Sequence, residues 1–300
     1  MSFHKLVIFL IFTFCSFSTL ADWIPFKFSN NQITIGVEIN GQPVQAILDS
    51  GSNINMISSS FVSQHGQNFK KTRKIRVQGV NGSSYVQLYN NVPVKMFGGD
   101  FDLDGVAVGN IGEATLLLGS TFFNNAILQI DFPNSRLKIF PKSAVDMDKY
   151  ANVPMRRSRS SSLPAIQVEI NSKKVWLTFD TGNSGAIYLK RSLAVAQGWL
   201  TDETDIKKSR VQGISRIANV DVFTVNSLKI GPYELDNVDV LTPSAGERTN
   251  VGESKRETSI GNNSRISRGI KPKGIIGFDI FKHFVVTVDF TDYQLHIVAS

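Results

Sequence analysis

Along much of the chain, apolar residues occupy every second position. Ile33, Ile35, Val37 and Ile39 alternate with Thr34, Gly36 and Glu38, and Ile166, Val168 and Ile170 alternate with Gln167 and Glu169. A period of two predicts half-buried β-strands. Long helical patterns are absent. One short helix is expected near Ser120–Asn125 and one near Asp279–His283. Asn40-Gly41 and Asn81-Gly82 predict tight hairpin turns, because the favoured two-residue turn needs left-handed backbone at both central positions. The first 21 residues break the pattern. Leu6 to Phe17 is an almost unbroken apolar run behind Lys5, with Thr19 and Ala21 at the usual cleavage spots. This reads as a secretory signal peptide cut before Asp22, giving a secreted or periplasmic protein. The run is short for a membrane span, so no membrane association is expected after cleavage.

The strand pattern repeats. Val37-Glu38-Ile39-Asn40 returns as Val168-Glu169-Ile170-Asn171, and the same shift of 131 carries Leu48-Asp49-Ser50-Gly51 onto Phe179-Asp180-Thr181-Gly182. Val77-Gln78-Gly79-Val80 returns as Val211-Gln212-Gly213-Ile214, and Phe101 to Val106 as Tyr233 to Val238. Leu117-Leu118-Gly119 matches Ile275-Ile276-Gly277, shifted by 158. Landmarks in the same order define two homologous lobes, 22–141 and 163–300, joined by a Ser- and Arg-rich linker, 142–162. The larger final shift places a polar insert near 243–273 in the second lobe. Such a segment buries too little apolar surface to fold alone.

Composition narrows the chemistry. Of the 300 residues 42% are hydrophobic, enough for two small lobes with real cores. The only cysteine, Cys15, lies in the signal segment, so neither a thiol nucleophile nor a cysteine-based zinc site is available after cleavage. The net charge of +7 gathers at Arg156, Arg157 and Arg159 and again through Arg248–Lys273. Neither cluster has the interleaved aromatics of a nucleic-acid surface, and none is expected as a partner. His4, His65, His283 and His296 lack metal-ligand spacing, and no His-Glu-x-x-His or Gly-x-Ser-x-Gly motif occurs. Asp100, Asp102, Asp104 and Gly105 mimic the start of a calcium loop, but Ile111 stands where its closing Glu belongs. No metal or cofactor is expected.

The repeated Asp-Ser/Thr-Gly carries the candidate chemistry. Each Asp emerges at the end of an apolar strand, and the Gly permits a turn too tight for a side chain. Ser50 and Thr181 carry hydroxyls able to bond across to the other loop. Two such loops meeting at a pseudo-twofold axis bring two carboxyls together. Like charges that close share one proton, so one carboxylate can act as base on a water while its partner acts as acid.

The succession of strand, Asp-Ser/Thr-Gly, Gly-containing hairpin, two hydrophobic residues plus Gly, and short helix resembles the retropepsin-like aspartic peptidases. The likeness is to the fused, single-chain bacterial type, and it covers nearly the whole mature chain. It implies an all-β fold of two retropepsin-like β-barrel lobes in a single-chain pseudo-dimer, monomeric and acting on polypeptides. It implies that Asp49 and Asp180 are the catalytic pair, and that Ser50, Gly51, Thr181 and Gly182 support their loops. Gly79, Val80, Asn81 and Gly82, with Gly213 and Ile214, would form the flaps over the substrate. Asn183 departs from the small residue usual after the Gly. Ser120 and Phe278 stand where viral members keep an Arg, so other contacts must tie the lobes together. A non-catalytic peptide-binding protein on the same fold is the alternative.

Overall fold

The computed structural model describes residues 22–300 except 80, 81, 125, 160, 213–216, 248 and 251–268. The signal segment, Val80, Asn81, Gly213, Ile214 and most of the insert lie outside the described residues.

Each lobe is built on a hairpin. In the first, Gln32–Ile39 and Gln42–Asp49 meet through Asn40 and Gly41, both left-handed with φ of 51° and 75°. In the second, Pro164–Ile170 and Lys173–Phe179 meet through Asn171 and Ser172, with φ of 43° and 65°. The second strand of each hairpin then becomes central. Gln42–Asp49 runs parallel to Leu116–Gly119, with Leu118 opposite Leu48 and Gly119 opposite Asp49. Lys173–Phe179 runs parallel to Gly274–Ile276, with Phe179 opposite Ile276. Strands covered on both faces are continuously apolar, as Ala46, Ile47 and Leu48 are, all buried. Each Asp therefore leaves the core at a fixed point, where a buried strand ends.

In the second lobe one long strand, Ile217–Ile230, pairs with Tyr233–Pro243 along its length and with Pro164–Ile170 at its end, closing a barrel. The first lobe breaks both counterparts of these long strands. Gly82–Asn90 stops before Val92–Met96, and Gly99–Leu103 stops before Val106–Gly109. Side chains seal the break. Asp104 Oδ1 accepts the Asn91 N–H at 3.0 Å, and Asn90 Oδ1 accepts the Gly105 N–H at 2.9 Å. The Asp-rich segment is thus an edge strand followed by a turn.

A third sheet joins the lobes. Ala126–Asp131 and Arg136–Pro141 come from the first lobe, Phe284–Asp289 and Gln294–Ala299 from the second. The two inner strands run antiparallel about Gln129 and Thr287, which share a 3.0 Å hydrogen bond. Aromatic rings reinforce the seam. Phe28 packs edge-on against Phe278 at 4.8 Å between centroids, and Phe123 lies 5.9 Å from Phe290. These rings, with the shared sheet, supply the tie that no Arg provides at Ser120 or Phe278. Ser120 instead donates its Oγ–H to the Ser52 carbonyl at 3.0 Å.

The linker span is ordered in part. Met155–Arg157 pairs with Pro164–Ile166 as an outer strand of the second lobe's sheet, and Ser158 bridges to Ile270. The expected short helices appear as a 3₁₀ turn, Ser120–Phe123, and an α-turn, Phe278–Phe281. Among the described residues no helix is long and apolar enough to cross a membrane.

Candidate active site

The loops after the two central strands interlock through four buried hydrogen bonds. Ser50 Oγ donates to the Phe179 carbonyl at 2.9 Å and accepts the Thr181 N–H at 2.9 Å. Thr181 Oγ1 donates to the Leu48 carbonyl at 2.8 Å and accepts the Ser50 N–H at 3.0 Å. Each hydroxyl therefore spends its hydrogen and a lone pair on the opposite lobe. With 3% and 4% exposure, these side chains have no water as a substitute.

The grip sets the carboxyls face to face. Asp49 and Asp180 hydrogen-bond to each other through their side chains. Gly51 donates its N–H to Asp49 Oδ1 at 2.9 Å, and Gly182 and Asn183 donate theirs to Asp180 Oδ1 at 2.8 and 3.1 Å. The glycines are needed for a reciprocal reason. A β-carbon on Gly51 would fall 2.2 Å from Asp180 Cγ, and one on Gly182 would fall 2.5 Å from Asp49 Cγ. Each loop's backbone presses on the other lobe's carboxyl, which no larger residue allows.

Burial pushes the Asp49 carboxyl above its ordinary range, while the bonds from Asp180, Gly51 and Ser52 pull the other way. Burial pushes Asp180 up further, and the Asp49 charge adds to the shift. The near-symmetric loops make this a property of the pair: it retains one proton well above the normal carboxylate range, and that proton is shared.

Asn183 has a different place from its lobe-one counterpart Ser52. Only its backbone N–H serves Asp180. Its Nδ2 is buried against Gly277 without a hydrogen-bond partner among the described residues, and its Oδ1 takes the Gly185 N–H at 3.3 Å. Ser52 Oγ instead closes on Ile54, donating to its carbonyl at 2.7 Å. Two buttresses have no repeat partner to mark them in the sequence. Gln32 Nε2 donates to the Gly182 carbonyl at 2.7 Å from across the lobe boundary, and Asn53 Nδ2 donates to Ser161 in the linker span at 3.0 Å.

Two hairpins flank the loops. The first, Lys70–Gly79 with Gly82–Asn90, sets Gly79 opposite Gly82. The second is formed by Lys207–Gln212 and the start of Ile217–Ile230. An apolar patch lies at the base of each: Met56, Val86, Leu88 and Leu117 with Ile54 and Val77 in one lobe, Val220 with Val211, Leu241 and Ile275 in the other. The beginning of the insert touches both hairpins. Ser244 donates its N–H to the Asn219 carbonyl at 3.1 Å, and Asn219 Nδ2 donates to Glu247 at 3.0 Å. Asn250 Nδ2 then donates to the carbonyls of Gly79 at 2.8 Å and Gly82 at 3.1 Å. Among the described residues no cluster of three or more His, Asp or Glu is placed to hold a metal ion.

The family model described as aspartyl protease matches residues 35–122 and 166–280, one match in each lobe. No curated protein matches the chain at a significant level. The two matches span the strands, loops and short helices that hold the paired carboxyls, and together they cover most of the sequence. The chain belongs to the aspartyl protease family, in the two-lobed, retropepsin-like form.

Proposed function

We propose that this protein is an aspartic endopeptidase whose catalytic pair is Asp49 and Asp180. The observation that carries this reading is the pair itself: two half-buried carboxyls from equivalent loops, hydrogen-bonded to each other and raised in pKa. With one proton between them, the ionised carboxylate takes a proton from a water as it attacks the scissile carbonyl. The protonated partner donates to the carbonyl oxygen. The tetrahedral intermediate then collapses as the proton collected from water passes to the leaving amine. No covalent intermediate forms, and the chemistry calls for no metal or cofactor. One chain supplies both carboxyls, which favours action as a monomer.

The apolar patches at the hairpin bases favour apolar side chains on either side of the scissile bond. Gly79, Val80, Asn81 and Gly82, with Gly213 and Ile214, are assigned to the cover over a bound peptide. The apolar run at Leu6–Phe17 favours export, which directs the activity to extracytoplasmic polypeptides.

The test is digestion of a diverse peptide library by residues 22–300, from acid to neutral pH, with cuts mapped by mass spectrometry. Cuts that disappear in Asp49→Asn, while peptide binding persists, support the reading. Binding without cleavage at any pH would favour a peptide-binding protein on the same fold.

A further inference from the structure

Besides the arginines at 156–159 and the basic span 248–273, positive charge gathers on the two hairpins beside the carboxyl pair. Residues 70–90 hold Lys70, Lys71, Arg73, Lys74 and Arg76, with no Asp or Glu. Residues 207–222 hold Lys207, Lys208, Arg210 and Arg216, against Asp221 alone. The hairpins thus carry a net charge of +8, which exceeds the +7 of the whole chain, so the rest of the protein sums to −1.

Little of this charge is neutralised. Lys70, Lys71, Arg73 and Lys74 are exposed on the edge strand of their sheet. Among the described residues no carboxylate pairs with them. Lys207–Gln212 is likewise an edge strand. Its Lys208 meets Asp221 at 2.7 Å, but Arg191 already holds the same carboxylate at 2.5 Å.

The turn of the first hairpin lies close to the second hairpin. Glu247 is tied to Asn219 on the second hairpin, and Asn250 is tied to Gly79 and Gly82 at the turn of the first. Glu247 and Asn250 are three steps apart along the chain, which span at most about 11 Å. Both hairpins therefore converge on one short segment beside the cleft. Charge on an edge strand also deters unwanted strand pairing. That purpose is served by either sign, so it leaves the absence of any acid across residues 70–90 unexplained.

We propose that the paired cationic hairpins select acidic polypeptide segments, so that preferred substrates carry Asp and Glu on either side of an apolar scissile pair. This rests on the endopeptidase reading and names its substrate class. A polypeptide is favoured over a phosphate polymer or a membrane because the cations sit on edge strands, which can take an extended chain by backbone pairing.

The experiment uses two peptides with the same cleavable core, one flanked by Asp and Glu and the other by Asn and Gln. kcat/KM is compared at about 20 mM and about 500 mM salt, where the screening length falls from roughly 20 Å to under 5 Å. The acid-flanked peptide is expected to be cut about tenfold faster at low salt, with most of that advantage lost at high salt. The triple variant Lys71→Gln, Arg73→Gln, Lys74→Gln should shrink the advantage to about twofold or less while the neutral peptide is cut as before. Equal rates for the two peptides at low salt overturn the proposal and leave the enzyme intact. If neither peptide is cut, the endopeptidase reading fails instead, and fluorescence anisotropy of the same peptides on Asp49→Asn decides the charge preference alone. Tighter binding to phosphatidylglycerol vesicles or to single-stranded DNA than to the acidic peptide overturns the choice of a polypeptide partner.

Discussion

Replacing Thr181 by Val keeps the shape of the side chain and deletes its hydroxyl. The structure gives that hydroxyl two bonds, one to the Leu48 carbonyl and one from the Ser50 N–H, in a site where Thr181 is 4% exposed. Their loss strands a carbonyl and an N–H on the opposite loop. Each buried group left without a partner costs about 1–3 kcal/mol, so the variant should lose about 2–6 kcal/mol of stability. For a chain of this size 1 kcal/mol moves Tm by roughly 2 °C, which predicts a fall of roughly 4–12 °C in calorimetry. Ser50→Ala removes the mirror-image pair of bonds and should cost a similar amount. Thr181→Ser keeps the hydroxyl and loses only a methyl group, so its Tm should lie much closer to the unmodified protein. A fall of under about 1 °C for Thr181→Val, or equal falls for Val and Ser, would refute the claim that these hydroxyls hold the lobes together.

Three further outcomes follow from the same geometry. Gly182→Ala puts a β-carbon 2.5 Å from Asp49 Cγ and must spread the carboxyls; peptide hydrolysis should fall about a hundredfold or more, as misplacement by an ångström can cost, and unchanged kcat would contradict the close approach. The folded pair binds its proton more tightly than unfolded Asp at 3.8, so its contribution to stability is full below about that pH and declines as pH rises through the raised folded value. Asp180→Asn escapes this decline: its Tm should gain on the unmodified protein between acid and neutral pH, and a pH-independent difference would count against the shared proton. Asn250→Ala removes both bonds to the turn of the first hairpin, so deuterium exchange of amides near 79–86 should accelerate about tenfold; unaltered exchange would show that the insert does not restrain the hairpin.

Much of the architecture could be read from the chain because it is written twice. The duplicated apolar strands ending in Asp49 and Asp180 require equivalent burial, and the matching Leu117-Leu118-Gly119 and Ile275-Ile276-Gly277 segments require equivalent neighbours. What escaped is what the lobes do not share. The seam of Phe28, Phe278, Phe123 and Phe290 joins residues far apart in sequence, and apolar pattern alone does not reveal partners across a lobe boundary. The first lobe's broken strands depend on Asn90 and Asp104 bonding to backbone at Gly105 and Asn91, a geometric match without periodicity. The Ser- and Arg-rich span 142–162 reads as a linker, yet Met155 is buried and its strand pairs with Pro164–Ile166. Asn183 raises a question in the sequence that only the packing answers: its side chain turns beneath Gly277, leaving the backbone N–H to serve Asp180.

The most direct test of the proposed mechanism compares Asp49→Asn and Asp180→Asn on the best peptide from the library, with Tm and peptide affinity measured on the same samples. Both variants should stay folded and bind peptide, and kcat should fall about 10²- to 10⁴-fold in each, the range that a positioned acid or base supplies. Retention of kcat in either variant would show that one carboxyl suffices, and would contradict catalysis by the pair.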